Sequence, residues 1–280
     1  MLADFFGEYL IKQGAIKEEQ LDEAVCYQRE LNLPLGELAI EKDYLTPSQV
    51  ARIVRDQSYV YKKFGQIAAE RNFLSEKQLH ELLQVQSENH IFLGEILNWL
   101  GYVSQDRLQD FLASFKRQTQ NDEQQLQQRM ERLPQGDILQ SALNIVREYF
   151  RRLGNGVKVK KLEYNTALPF HDPVFLVNQD LNGQESGAAF GLQMPWSIVQ
   201  AVAQGNRWNK AAPANRVKDF DTAAEVVGNL NQALCKELRQ MGYKAEAGSL
   251  RFELPQESQE LIKICLHSML GEMRLLYYFL

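Results

Sequence analysis

Cysteine is scarce in this chain of 280 residues, with three set apart at Cys26, Cys235 and Cys265 and no Cys-x-x-Cys spacing. An odd, scattered set offers neither a disulfide framework nor a zinc site, and the expectation is buried thiols in a reducing cytoplasm. Histidine is as thin, with His80, His90, His171 and His267 too dispersed for a metal site. In His80-Glu81-Leu-Leu-Gln84 a glutamine stands where a zinc-protease helix needs its second histidine. Long apolar runs are missing too: Leu275–Leu280 falls far short of the roughly 20 residues of a membrane span. The N-terminus, Met1-Leu-Ala-Asp-Phe-Phe-Gly-Glu, has an acid where a secretory signal has Lys or Arg. Positive charge is not in excess, since 31 Lys and Arg face 36 Asp and Glu for a net −5. That balance excludes a basic footprint for DNA or anionic lipid. No Gly-Lys-Ser/Thr occurs, so there is no nucleotide-driven motor, and Gly154-Asn-Gly156 lacks the rest of a dinucleotide loop. The 45% hydrophobic residues suffice for two domain cores.

What the N-terminal half does have is a repeat. Gly7, Gly36, Gly65 and Gly94 lie 29 residues apart, each behind a large apolar residue: Phe6, Leu35, Phe64 and Leu93. Seven residues on stand Gly14, Asp43, Asn72 and Gly101, all types that tolerate a left-handed backbone. Thr46-Pro47-Ser48-Gln49 and Ser75-Glu76-Lys77-Gln78 then read as capping boxes. Leu21, Val50, Leu79 and Leu108, with apolar residues three and four further on, draw one helical stripe in each repeat. Each repeat is therefore a short helix, a tight turn and a longer helix, and stacking of the repeats must supply the core.

These motifs resemble the N-terminal domain of type II secretion and type IV pilus assembly ATPases, known in one branch as MshEN, over about residues 4–118. The resemblance implies a cyclic di-GMP site built from two consecutive repeats, with an arginine two before the glycine and a closing glutamine. The closing position holds Gln28, Gln57, Gln86 and Phe115, while the arginine position holds Phe5, Pro34, Lys63 and Phe92. Lysine is a point charge and cannot supply the planar fork of arginine. The best-matching set is Lys63, Phe64, Gly65 and Gln86 with Leu93 and Gly94. A scaffold or docking role for a secretion or pilus component is the alternative reading of the same residues.

Residues 119–135 form a Gln-rich linker, read as an exposed helix or tether ending at Pro134-Gln135-Gly136. Beyond it, 136–280 has a mixed pattern. A helix capped by Asp137 runs over Ile138–Leu153, with strands at Val157–Lys160, Val174–Val177 and Gly187–Leu192 and turns at Asn155-Gly156 and Asn182-Gly183. Pro195-Trp196 opens a helix to Gln204, and a long helix spans Asp221–Met241. Strands follow at Ser249–Leu254 and Arg274–Leu280, around a short helix at Leu261–Met269. Trp196, Trp208 and the Arg207/Lys210 pair read as a surface anchor. The fold class is thus an all-α helical-repeat domain over 1–118 followed by an α+β domain with a largely antiparallel sheet.

This second half is similar to the CheC/CheX/FliY family of chemotaxis phosphatases, through Asp180-Leu-Asn-Gly-Gln-Glu-Ser-Gly-Ala-Ala-Phe-Gly-Leu, Asp221-x-x-x-Glu225 and Gly271-Glu-Met-Arg-Leu-Leu-Tyr-Tyr. The resemblance implies a Glu-x-x-Asn pair on the long helix, the acid meeting a response regulator's lysine and the amide aligning a water on the aspartyl phosphate. Glu225 is present, but position 228 is glycine and the asparagine comes one residue later, at Asn229. The expected function is therefore a non-enzymatic signalling adaptor, with no cofactor and no metal. The alternatives are a cyclic di-GMP receptor and a response-regulator phosphatase. The apolar strand Leu275–Leu280 is the expected homodimer interface.

Overall fold

The computed structural model describes residues 5–59, 62–133, 135–153, 156–164, 172–181, 184–204, 216–252, 260–268 and 270–279. By contacts the chain divides into two compact bodies, Met1–Ile53 with Lys63–Arg129, and Val54–Lys62 with Met130–Leu280.

Four short-then-long helix pairs make up the first half: α1 (Phe6–Lys12) with α2 (Glu18–Leu31), α3 (Leu35–Glu41) with α4 (Pro47–Tyr59), α5 (Phe64–Glu70) with α6 (Glu76–Glu88), and α7 (Leu93–Trp99) with α8 (Gln105–Glu131). Within each pair the chain reverses through a left-handed residue, Gly14, Asp43, Asn72 or Gly101, at φ +65°, +56°, +55° and +75°. Both capping boxes form. Gln78 N–H donates to Ser75 Oγ and Ser75 N–H to Gln78 Oε1 (3.3 and 3.0 Å), with the same exchange between Thr46 and Gln49 (3.3 and 2.8 Å). The expected linker is helical as far as Glu131, because its Gln, Glu and Arg are straight-chain helix formers. Its Leu126 and Met130, one turn apart, are buried.

The repeats do not stack in chain order. Phe6, Leu10, Leu21 and Ala24 of the first share a core with Leu93, Leu97, Leu108 and Phe115 of the fourth. A separate core joins Leu38, Leu45 and Ile53 of the second to Ile67, Leu74 and Leu82 of the third. Polar contacts follow the same rule. Gln28 Nε2 donates to the Ile91 carbonyl and Gln86 Nε2 to the Leu33 carbonyl, both at 3.2 Å. Tyr102 Oη donates to Glu23, as Tyr44 Oη does to Glu81. These contacts in one pair are matched in the other by a shift of two repeats, while the Asn32 bonds to the Ile91 backbone and the Lys42–Glu81 ion pair are not. The first half is thus two copies of a two-repeat unit, related like the halves of an isologous dimer. The alternation Phe6, Leu35, Phe64, Leu93 carries this doubled period in the sequence.

The repeat glycines let the two helices of a pair touch. A Cβ on Gly94 would meet only the far end of Leu108, at 2.5 Å, whereas one on Gly36 would meet Val50 Cγ1 at 2.8 Å and the Phe64 ring at 3.2 Å. Leucine can rotate away, but valine is stiff at χ1. Helix propensity favours alanine over glycine by about 1 kcal/mol, and overpacking a core costs about 1–3 kcal/mol. Gly94→Ala is therefore expected to leave stability unchanged or slightly raised in urea unfolding. Gly36→Ala should lower it by about 1–2 kcal/mol.

The second half opens with α9 (Gly136–Arg152), followed by β1 (Lys158–Tyr164), β2 (Val174–Leu181), β3 (Gln184–Gln193), α10 (Trp196–Gln204), α11 (Arg216–Gln240), β4 (Ala245–Arg251), β5 (Glu260–Ser268) and β6 (Gly271–Phe279). The six strands form one antiparallel sheet in the order β1-β5-β6-β3-β2-β4. The helix expected at Leu261–Met269 is β5, between β1 and β6. Leu261, Ile262, Lys263, Ile264 and Leu266 are all buried, so both faces of the strand are covered and no alternation shows. Asp137 lies inside the first turn of α9 rather than at its cap, accepting from Ile138 N–H and from Tyr243 Oη (2.9 and 2.6 Å). The long helix begins at Arg216, ahead of the expected Asp221, and the strand expected from Ser249 starts at Ala245. Asn155, Asn182, Gly183, Arg207, Trp208 and Lys210 lie outside the described residues. The apolar strand expected as a dimer interface is β6, whose Leu275, Leu276, Tyr277 and Tyr278 are buried between β5 and β3. Of the cysteines only Cys235 is fully buried, Cys26 being exposed and Cys265 half-buried.

Register sorts the sheet into two faces. Val177, Phe190, Tyr277 and Ile262 lie side by side across four strands, as do Phe175, Leu192, Leu275 and Ile264. On the other face Leu176, Gly191, Leu276, Lys263 and Glu163 form a row. Lys263 is 4% exposed and pairs with Glu163 at 2.7 Å, and Lys161 meets the same carboxylate at 2.6 Å. Bonds from Lys161 and then Lys263 hold the Glu163 carboxyl down at about 2. A carboxyl lowered by folding stabilises the fold above its ordinary pKa, near 4.5, and loses that contribution as pH falls toward 2. Acid unfolding followed by circular dichroism is expected to show this loss, and Glu163→Gln should flatten the profile in that window.

Candidate functional site

The long helix α11 is amphipathic. Ala223, Ala224, Val226, Val227, Leu230, Leu234, Cys235 and Leu238 face inward and are buried. It packs along α10 and against α9, β2, β3 and β4. It stops where Gly242 turns at φ +96° and Tyr243 N–H donates to the Leu238 carbonyl at 3.0 Å. Its rotation is fixed by a polar lock. Gln179 of β2 donates from Nε2 to Asn231 Oδ1 at 2.5 Å, and its Oε1 accepts from Tyr277 Oη at 2.5 Å. Gln179, Asn231 and Tyr277 are each 0% exposed. Cys235 Sγ lies 3.8 Å from the same amide, and burial pushes its thiol up to about 11, so it is no nucleophile at neutral pH. Burial raises the Tyr277 phenol as well.

With Asn231 pinned inward, Glu225 falls on the outer side of α11 and is exposed. Asn229 sits about 40° round the helix from Glu225 at roughly 100° per residue, and Gly228 about 60° the other way. A Cβ on Gly228 would meet nothing within 4 Å. An exposed acid thus stands on a fixed helix, with an open position at i+3 where an amide would sit beside it. Asn229 is half-buried. At the start of the helix, Phe220 packs against Phe175, Phe252 and Trp196 (4.7, 5.0 and 6.3 Å between ring centroids), and Arg216 lies 5.3 Å from the Trp196 ring. Trp196 therefore belongs to an aromatic cluster that seats α11.

The nucleotide set divides between two cores. Phe64 packs in the second–third core and Leu93 in the first–fourth. Lys63 is exposed at the start of α5, its N–H donating to Gln66 Oε1. Gly65 lies against Leu79 and Gly94 against Leu108. The Gln86 amide is engaged by the Leu33 carbonyl. Among the described residues no group of three or more His, Cys, Asp and Glu gathers to hold a metal, and no helix is long and apolar enough to cross a membrane. Reading the sequence missed Gln179 and Tyr277, because polar residues in apolar strands give no signal of the partner they will meet.

No protein-family model and no curated protein matches the sequence. Solved structures do: about half of the chain is similar to CheX- and CheC-like chemotaxis proteins. A CheC-like superfamily protein from Shewanella sp. PV-4 is 10% identical, covering 51% of this chain and 97% of its own, with a TM-score of 0.45. The chemotaxis protein CheX from Vibrio vulnificus is 9% identical over 51% of this chain and 99% of its own, with a TM-score of 0.44. The CheX–CheY complex from Borrelia burgdorferi is 10% identical over 51% and 94%, with a TM-score of 0.38.

Proposed function

We propose that the protein is a signalling adaptor whose α11 surface around Glu225 binds the phosphorylated receiver domain of a response regulator without hydrolysing it. One observation supports this reading most: Glu225 is exposed on a helix whose rotation is fixed, while the position one turn on is a glycine with open space before it. A carboxylate there can pair with a receiver lysine. In-line attack needs more, namely an amide that places a water to within a fraction of an ångström, and Gly228 has none. The helix pairs of the first half enter as a docking element for a protein partner. In that half one N–H of the Gln86 amide donates to the Leu33 carbonyl, joining the third repeat to the second.

Binding of a CheY-type receiver, phosphorylated with acetyl phosphate, is the test. Calorimetry is expected to show saturable binding that Glu225→Lys weakens by about tenfold or more, because the reversed charge then faces the receiver lysine. Equal affinity in wild type and Glu225→Lys overturns the reading.

A further inference from the structure

We propose that an exposed aromatic face shared by α2 and α7 is the docking surface for a basic amphipathic helix of a partner protein. The face consists of Tyr27 and Leu31, one turn apart on α2, of Trp99 at the end of α7, and of Phe92, which precedes α7 as its N-cap and packs on His90 at 4.9 Å. Trp99 is 72% exposed, Phe92 58%, Leu31 41% and Tyr27 39%. The Tyr27 and Trp99 rings meet at 6.4 Å between centroids.

The doubled architecture supplies an internal control for what the fold requires. Two repeats away, the places of Tyr27, Leu31, Phe92 and Trp99 are taken by Val85, Asn89, Pro34 and Glu41. The place of Trp99 in the remaining repeats holds Lys12 and Glu70. The same backbone therefore folds around the second and third repeats without this aromatic face. There the exposed large apolar side chain among the described residues is Leu83, a single one that needs no explanation. Four large apolar groups exposed on the first–fourth pair and absent from its counterpart are not needed to fold it, and the touching Tyr27 and Trp99 are of the types enriched in binding hot spots.

Charge selects the occupant. Glu23 and Glu30 flank Tyr27 one turn to either side on α2, and Glu95 lies one turn before Trp99 on α7. All three are exposed. Glu23 is held in place by the Tyr102 hydroxyl, and Glu95 accepts from Phe92 N–H at 2.7 Å. Arg29 of α2 lies about 200° round the helix from Tyr27, away from the face. An acidic rim repels an anionic lipid surface. A second copy docked face to face would set Glu23 and Glu30 against themselves. A helix with apolar residues along one stripe and Lys or Arg beside it satisfies both the aromatic centre and the rim.

The probe is a synthetic amphipathic helix of Leu and Lys carrying a fluorophore, titrated with the full chain and read by anisotropy, beside a peptide with Glu for every Lys. The Leu/Lys peptide is expected to bind saturably and the Leu/Glu peptide not at all. Trp99→Ser with Tyr27→Ser should weaken binding by about tenfold or more, while Glu41→Ser, on the other half, leaves it unchanged. Because both aromatic residues are exposed, the double variant should keep the wild-type melting curve. Equal binding of the two peptides, no binding of either, or unchanged affinity in the double variant overturns the proposal. So does light scattering that shows a dimer dispersed by Trp99→Ser.

Discussion

Gly228→Asn is expected to give phosphatase activity that the wild type is expected to lack. Spontaneous loss of phosphate from a CheY-type receiver should be unchanged by added wild-type protein and accelerated about tenfold or more by the variant. Two features favour this outcome. A Cβ at position 228 meets nothing within 4 Å, so the first carbon of the new side chain is added without moving a neighbour. Asparagine is also slightly better than glycine in a helix interior, so the fold loses nothing. The amide would then stand at i+3 from Glu225, on the same helix face, where misplacement by about 1 Å can cost 100-fold in rate. Glu225→Ala in the Gly228→Asn background should abolish the gain. Wild-type acceleration that Gly228→Asn fails to increase would show that Asn229 already serves, and the adaptor reading would fall.

The largest stability effect is expected at Gln179. Its amide joins α11 to β6 through two 2.5 Å hydrogen bonds in a site that is fully buried. Replacing Gln179 by Leu takes the acceptor from Tyr277 Oη and the donor from Asn231 Oδ1 at once. Each buried polar group deprived of its partner costs about 1–3 kcal/mol, so a loss of about 3–5 kcal/mol is expected in urea unfolding. The combined variant Gln179→Leu, Asn231→Leu, Tyr277→Phe should recover most of that loss, because no polar group is then stranded. Full additivity of the three substitutions would mean the bonds carry no coupling. If the lock also aims Glu225, Gln179→Leu should weaken receiver binding more than its unfolded fraction accounts for.

How much of this was legible depends on which residues carried a local signal. The left-handed turns at Asp43 and Asn72 could be read because few residue types tolerate that backbone. The capping boxes at Thr46 and Ser75 were equally plain, since both partners lie within one turn. The pairing of first with fourth repeat was not, because it joins residues such as Gln28 and Ile91 that are remote in the chain. Its one trace, the alternation of phenylalanine and leucine before the glycines, reads as scatter until the partners are known. β5 reads as a helix in the sequence because Leu261, Ile262, Ile264 and Leu266 fit a helical stripe as well as a strand buried on both sides. In the candidate site Glu225 and Gly228 stand out only through the resemblance of the second half to a Glu-x-x-Asn pair. The buried amide that holds α11 was not, since its meaning depends on a tyrosine almost a hundred residues later.

The crossed arrangement of repeats also dictates an order of events on the ribosome. A solenoid can consolidate one module at a time as it is made, but here the first module has no companion until the fourth has been synthesised. At about 5–20 residues per second, that wait lasts several seconds. The second and third modules lie next to each other in the chain and can close first, because a short connection costs less entropy to organise. During the delay Phe6 and Leu10 stay uncovered on the nascent polypeptide, a natural target for a holding chaperone. A product terminated before Phe115 would strand the opening segment rather than the one beside the break.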